Sequence, residues 1–285
     1  MTQKIKRPVS ILLAMLMVVS LFTAVPISAS AATGVTYLDA DGATQTCSSY
    51  ETFTGQTTIG AEGETKWYVA ESNYSYSPSS WDEHDSSTLF HAYGDVHLIV
   101  KDGVKVNING FGLKVHSGGS LTIYAQSTGS NMGEFSVNGT TGEGGYFGRR
   151  TGVPGIDCNA ATLTINGGTI TANGGDGGHG IVCTAFTLNG GSVSANGGSD
   201  IVLDDTASGR GIISETITVN GGELRLNAER NAYTGTFTVS NDLIMLANDN
   251  RINVNNIEED ISSVFPNSIY IGSPVDVTEI TLDKE

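Results

Sequence analysis

Arginine, histidine and aspartate residues cluster near one repeated position of this chain. His179 and Arg210 each stand directly before a Gly-Ile pair, and acidic and basic residues precede them. Such side chains could bind an acidic sugar through guanidinium–carboxylate contacts, or hold calcium between carboxylates. The sequence therefore predicts a binding edge with the ligand-contacting candidates Arg149, Arg150, Asp176, His179, Asp204, Asp205 and Arg210.

The same residues support an enzyme hypothesis. Polysaccharide lyases abstract a proton with a basic residue beside a carboxylate that a metal ion neutralises. The base candidates are Arg150, His179 and Arg210, and the metal candidates are Asp200, Asp204 and Asp205. A solvent-exposed loop edge without activity also accommodates these residues. We therefore keep the lyase as an alternative, and expect no cofactor unless these aspartates bind calcium.

Aromatic residues near the N-terminal end form a second candidate surface. Trp67 and Trp81 stand among several tyrosines, and aromatic rings can stack on the apolar faces of sugars. Rings that bury the first strands against the core are the other interpretation. Clustering alone does not separate the two.

Three stretches of repeated sequence must position these candidates. Each contains two short strands joined by Asn-Gly-Gly, in 162–173, 185–196 and 216–227. Aliphatic residues alternate with threonine or serine in each strand, which predicts one buried and one exposed face. The Asn-Gly-Gly segment supplies residues that tolerate the backbone of a sharp corner.

The spacing of the repeats predicts the architecture. Gly-Ile recurs at 155, 180 and 211, and the Asn-Gly-Gly corners recur at nearly the same steps. Repeats of this length stack as a solenoid in which each unit buries its apolar face against its neighbours. We expect an all-β, single-stranded right-handed parallel β-helix of the pectin-lyase-like type.

The register also relates two cysteines. Cys158 and Cys183 follow the Gly-Ile pair at the same offset, so they should lie on adjacent coils about 4.8 Å apart, within reach of a disulfide. Two buried thiols fit the same placement, and both alternatives stay open. Cys47 has no evident partner, and an odd number of cysteines leaves at least one unpaired.

Composition at the N-terminus and charge indicate the compartment. Residues 1–32 combine three basic residues, an apolar run and a small-residue cleavage site, which predicts a signal peptide and a secreted or cell-surface protein. No later stretch is apolar enough to span a membrane. The net charge of −16 argues against nucleic acid as a partner.

The remaining chain divides into three parts. Residues 33–94 are irregular and are expected to form an N-terminal cap and first coil, which would protect an open apolar end. Residues 95–271 are expected to form the β-helix. Residues 272–285 are expected to be a linker, and their end resembles the opening strand of a truncated bacterial immunoglobulin-like domain.

Several segments carry a family resemblance. Tyr37–Gly42, Trp67–Val69, Asp95–Gly103, Ser120–Tyr124 and the Asn-Gly-Gly repeats resemble Gly-rich right-handed β-helix modules of exported proteins from anaerobic Gram-positive bacteria. The resemblance covers most of the mature chain. It implies a carbohydrate-binding or adhesin-like module, and these modules are mostly uncharacterised.

We therefore expect a non-enzymatic secreted or surface module that binds a polysaccharide, a cell-surface glycan or a host surface through loops on one edge. The chain should act as a monomer or as part of a longer chain. The alternatives are a lyase acting on an acidic glycan and a structural spacer of a larger surface protein. Fold alone does not decide among them.

Overall fold

The computed structural model describes residues 34–77, 89–140, 152–199, 208–248, 250–252, 266 and 268–273. All of them lie in one compact unit, Gly34–Glu285. The described residues form strands and no helix, which confirms the all-β class. Accordingly, none of them belongs to a helix that is long and apolar enough to cross a membrane. The expected signal peptide and the end of the expected linker lie outside these residues.

The strands, in chain order, are β1 (Val35–Leu38), β2 (Thr44–Cys47), β3 (Glu51–Thr52), β4 (Thr58–Ala70), β5 (Tyr74–Tyr76), β6 (Phe90–Val100), β7 (Lys105–Gly110), β8 (Leu113–Val115), β9 (Ser120–Tyr124), β10 (Glu134–Gly139), β11 (Ile156–Ile165), β12 (Thr169–Asn173), β13 (Ile181–Leu188), β14 (Ser192–Asn196), β15 (Ile212–Val219), β16 (Glu223–Asn227), β17 (Tyr233–Val239), β18 (Ile244–Ala247), β19 (Asn250–Ile252) and β20 (Ser268–Gly272).

Two nine-stranded sheets are built mainly from alternating strands of the chain. The first sheet has the order β3-β4-β6-β8-β11-β13-β15-β17, with β9 pairing with β6 and β11, and its strands are parallel. The second has the order β5-β7-β10-β12-β14-β16-β20-β18-β19. Its strands are parallel from β5 to β16. Strands β1 and β2 form a separate antiparallel hairpin.

Long strands of the first sheet bend in the middle. The register between β4 and β6 shifts between Gly60 and Thr65, and β11 shifts against β13 between Cys158 and Thr162. Strands β8 and β9 pair with separate halves of β6 and β11, which closes a circuit of four strands. Gly94 lies at the shift between β4 and β6 with φ +70°, and a Cβ there would collide with the carbonyl of Ala61. Glycine is required there.

The apolar core lies between the two sheets and consists of columns of side chains in register. In the second sheet, Val106, Phe135, Ile170, Val193 and Leu224 pair in sequence from β7 to β16. All five are at most 2% exposed. Burying an aliphatic or phenyl side chain stabilises a fold by roughly 1.5–3 kcal/mol, so each repeat depends on its neighbours for burial.

Asparagine side chains form hydrogen-bonded ladders where strands end. One ladder runs through Asn109, Asn138, Asn173, Asn196 and Asn227, with each Nδ2 donating to the Oδ1 of the preceding member. A second ladder joins Asn166, Asn189 and Asn220 in the same direction, with distances of 2.7 and 2.8 Å. The Asn-Gly-Gly motif thus supplies the second ladder.

The outer face of the first sheet carries threonine columns. Thr122, Thr164, Thr187, Thr218 and Thr238 pair in register across β9, β11, β13, β15 and β17. The neighbouring column contains Ser120, Thr162, Ala185, Thr216 and Thr236. From β9 to β17 these two columns contain no charged residue, and Asp95 on β6 continues the second column beside Ser120. The charged residues of the predicted edge lie elsewhere.

The C-terminal strands depart from the expected parallel stack. The sequence pattern extends parallel strands to residue 271, but β20 pairs antiparallel with β16 and β18, and β18 pairs antiparallel with β19. The turn between β18 and β19 contains Asn248 at φ +47°. An unpaired strand edge must be covered or paired, and β20 covers the edge of β16.

Replacing Asn173 by alanine tests the first ladder. The change removes the donor to Asn138 and the acceptor of Asn196, and we expect a loss of about 2 kcal/mol because each neutral hydrogen bond contributes about 1 kcal/mol. Denaturant unfolding measures the loss. Asn227→Ala, at the exposed ladder end, removes one bond and should cost about half as much; equal losses would contradict the ladder's role.

Candidate functional site

The candidate edge consists of the segments that lead into β11, β13 and β15. The backbone N–H of Gly155 donates to the carbonyl of His179 at 3.0 Å, and that of Gly180 donates to the carbonyl of Arg210 at 2.8 Å. These bonds continue the parallel pairing beyond the strand ends. The structure therefore stacks His179 and Arg210 on adjacent repeats, one residue before each Gly-Ile pair.

Glycine makes this edge compact. A Cβ on Gly209 would collide with the carbonyl of Gly178, and a Cβ on Gly198 would collide with the carbonyl of Gly175. The backbones of neighbouring turns approach closely because these residues have no side chain. The main chain beneath His179 and Arg210 is consequently packed against the next turn.

His179 is held in one tautomer. Its Nδ1 accepts a hydrogen bond from the backbone N–H of Arg210 at 2.9 Å. Burial lowers the pKa of His179, and the positive charge of Arg210 lowers it further. The neutral ring is thus favoured at neutral pH, with its proton on Nε2, because Nδ1 is the acceptor. Through Nε2, His179 can donate a hydrogen bond to a ligand.

The guanidinium of Arg210 has no carboxylate partner in the described part of the chain. Carboxylates pair with Lys66, Lys101, Lys105, Lys114 and Arg225. The Nε of Arg210 is buried and has no hydrogen-bond partner within the described ranges. A buried donor without a partner costs roughly 1–3 kcal/mol, and more when it is charged. An anion at this position would remove that cost.

Of the other predicted edge residues, the structure describes Asp176. Asp176 is exposed and lies in the Gly-rich turn before His179, where Gly177 donates to the carbonyl of Ser199 at 2.7 Å. The remaining candidates, Arg149, Arg150, Asp200, Asp204, Asp205 and Trp81, lie outside the described residues. Within the described ranges, no group of three or more His, Cys, Asp or Glu side chains is placed to hold a metal ion.

Trp67 belongs to a packed aromatic cluster. Its ring stacks on His97 with centroids 4.2 Å apart and planes at 9°, and contacts Tyr37 and Tyr124 at 5.1 and 5.2 Å. Tyr37 belongs to the hairpin β1–β2, which covers this side of the first sheet. These neighbours occupy much of the Trp67 ring, so the geometry favours packing of the hairpin over a sugar platform.

Sequence reasoning missed a hydrogen-bonded chain beside Trp67. Tyr124 donates through its hydroxyl to His97 Nδ1 at 2.7 Å, and His97 Nε2 donates to Asp95 at 3.1 Å. Asp95 also accepts from Ser120 and from Thr65. Burial alone would raise the pKa of Asp95, but the hydrogen bonds from Ser120, His97 and Thr65 outweigh it and lower the pKa.

This carboxylate–imidazole–phenol order resembles a catalytic relay, but its hydroxyl is inaccessible. Tyr124 is 6% exposed, and burial raises its pKa, so the phenol stays protonated. Both ring nitrogens of His97 are occupied. These hydrogen bonds therefore link β4, β6 and β9 beneath the hairpin. In the sequence, the only sign of these hydrogen bonds is the alternation of outward polar residues in the three strands.

The cysteines are buried free thiols. Cys158 pairs with Cys183 in the register of β11 and β13. Burial raises the pKa of Cys158, and it raises the pKa of Cys183 to about 11. Cys183 also donates to the hydroxyl of Ser214 at 3.5 Å. Cys47 is buried separately, in the cluster beneath the hairpin.

Comparison with protein-family models, curated proteins and solved structures finds no match for this chain. The chemistry of the described side chains therefore carries the functional argument.

Thiol titration distinguishes the two states of the cysteine pair. We expect negligible reaction of the folded protein with an aromatic disulfide reagent, because the thiols are buried and their raised pKa values disfavour the reactive thiolate. In denaturant without reductant, all three thiols should react. A stoichiometry near one thiol per chain would instead reveal a disulfide between Cys158 and Cys183.

Acid should destabilise the fold through His179. Because burial and Arg210 lower its folded-state pKa, the unfolded chain takes up the proton first, and stability should fall as pH drops below about 6.5. Denaturant midpoints measured between pH 8 and 5 test this. His179→Asn, which keeps an acceptor for the Arg210 N–H, should show a shallower fall; an identical pH profile would contradict the assignment.

Proposed function

We propose that this chain is an exported right-handed parallel β-helix module that binds an acidic glycan through the edge carrying His179 and Arg210. The parallel sheets built from alternating strands support the β-helix. The basic, apolar and small-residue pattern of residues 1–32 supports export. The resemblance to Gly-rich surface modules supports a role in contacting polysaccharide or another cell surface.

The guanidinium of Arg210, which has no carboxylate partner among the described residues and whose Nε lacks a hydrogen bond there, carries the ligand proposal. A planar guanidinium binds a carboxylate through two parallel hydrogen bonds, which matches the acidic group of a uronate residue. His179 Nε2 supplies a further donor on the same edge. Since the chain carries a net charge of −16, long-range electrostatics repel a polyanion. Retention of such a polymer would therefore depend on local contacts.

Binding is favoured over lyase chemistry by the tautomer of His179. A general base needs an available lone pair within reach of the proton that it removes. In the neutral ring Nδ1 is occupied by the Arg210 N–H, and Nε2 already carries the proton. The guanidinium of Arg210 donates hydrogen bonds and has no acceptor. Both side chains are thus arranged as donors to an anion.

A matched pair of polymers tests the proposal. Polygalacturonate and its fully methyl-esterified form share a backbone, but only the first carries carboxylates. We expect the protein to retain polygalacturonate in affinity electrophoresis, and Arg210→Ala to weaken retention at least tenfold, since charge-assisted bonds contribute about 1.5–3 kcal/mol. Arg210→Lys should retain charge without the planar fork and bind with intermediate affinity.

The control is Arg225→Ala, because Arg225 already pairs with Glu223 on β16 and should not affect binding. Ultraviolet absorbance of unsaturated products is followed in parallel. Product that disappears in Arg210→Ala would overturn binding in favour of the lyase. Equal retention of both polymers would leave glycan binding but remove the carboxylate contact, and retention of neither would favour a structural spacer.

A further inference from the structure

A pair of histidines lies on the outer face of the first sheet, apart from the proposed glycan edge. His91 lies in β6 and His116 directly follows β8. Their facing ring nitrogens, His91 Nδ1 and His116 Nε2, are 2.9 Å apart. Both side chains are partly exposed. Two imidazoles thus face one another at a partly exposed position.

The surrounding structure fixes His116. Its ring stacks on Tyr93 with centroids 3.9 Å apart and planes at 11°. Its backbone N–H donates to the carbonyl of Ala92 at 2.9 Å, which holds the end of β8 against β6. The ring is therefore preorganised, and binding through its Nε2 requires little ordering.

Acidic side chains lie near the pair. Glu62 and Asp157 act electrostatically on His116, and their negative charges favour a cation near the ring. Lys114 acts with the opposite sign, and Asp157 pairs with it at 3.7 Å.

The distance between the facing nitrogens of the two imidazoles is close to the distance that two nitrogen ligands of one metal ion require. Zinc–nitrogen bonds of about 2.0–2.1 Å at a tetrahedral angle place two ligand nitrogens roughly 3.3–3.4 Å apart. The pair would open by a few tenths of an ångström, and the rings would turn so that both nitrogen lone pairs converge on the ion. The ring that donates the shared proton would bind as its other tautomer, so neutral imidazoles need no co-reactant.

We infer that His91 and His116 form a two-histidine site for a divalent transition-metal ion of the Zn²⁺, Ni²⁺ or Cu²⁺ class. Imidazole nitrogens suit these ions, whereas Ca²⁺ and Mg²⁺ prefer oxygen ligands. Water completes the coordination. The site differs in ligand and position from the calcium-binding aspartates considered from the sequence, and it is independent of the glycan proposal.

Isothermal titration of tag-free protein with ZnCl₂, in a buffer that does not chelate metal, tests the inference. We expect one Zn²⁺ per chain, and at least tenfold weaker binding in His91→Gln and in His116→Gln. Matching circular dichroism and thermal midpoints without metal would verify that both variants fold. CaCl₂ titrated under the same conditions should give no saturable binding.

The control variant is Lys105→Gln on β7 of the second sheet, which should bind Zn²⁺ as the parent does. The electron paramagnetic resonance spectrum of one equivalent of Cu²⁺ gives a second readout, with nitrogen couplings from two imidazoles expected in the parent and from fewer in either pair variant. No saturable binding, or unchanged binding in both pair variants, would overturn the site; the latter would identify adventitious surface binding.

Discussion

The structure depends on parallel register between successive repeats. An apolar side chain is buried only where the strands on both sides present an apolar residue at the same position. Ile170 meets this condition between Phe135 and Val193. A slip of one residue would turn Thr171 inward and misalign the asparagine ladder that contains Asn173. Core packing and the polar ladder thus enforce the same alignment.

The alignment also determines where charge can be placed. Inward strand positions are apolar, and the threonine columns leave much of one outer face uncharged. His179 and Arg210 stand just beyond the strand ends, where Gly198 and Gly209 let the turns pack backbone against backbone. Because the backbone beneath Arg210 is tightly packed, little backbone freedom is lost when its guanidinium binds an anion. The glycines therefore support the proposed site through the close packing of its backbone.

Local pattern predicted part of this arrangement. The repeated Gly-Ile pair correctly indicated that Ile156 and Ile181 share a register, because a strict repeat imposes equivalent positions. Strand direction has no such signal: Ile244–Ala247 fits a parallel strand as well as the antiparallel one that forms. The link between His97 and Tyr124 spans strands outside the clear repeats. That no described carboxylate pairs with Arg210 depends on side-chain directions, which spacing does not give.

The hydrogen bonds of the asparagine ladders all run in the same direction along the stack of strands. In each ladder every inner amide donates to the preceding member and accepts from the next, as Asn189 does between Asn166 and Asn220. Each junction within a ladder therefore presents the same donor and acceptor. Duplication of one whole repeat in the gene would insert a unit that fits both neighbours, whereas duplication of part of a repeat would not. Length can therefore change in evolution, or by design, in whole repeats.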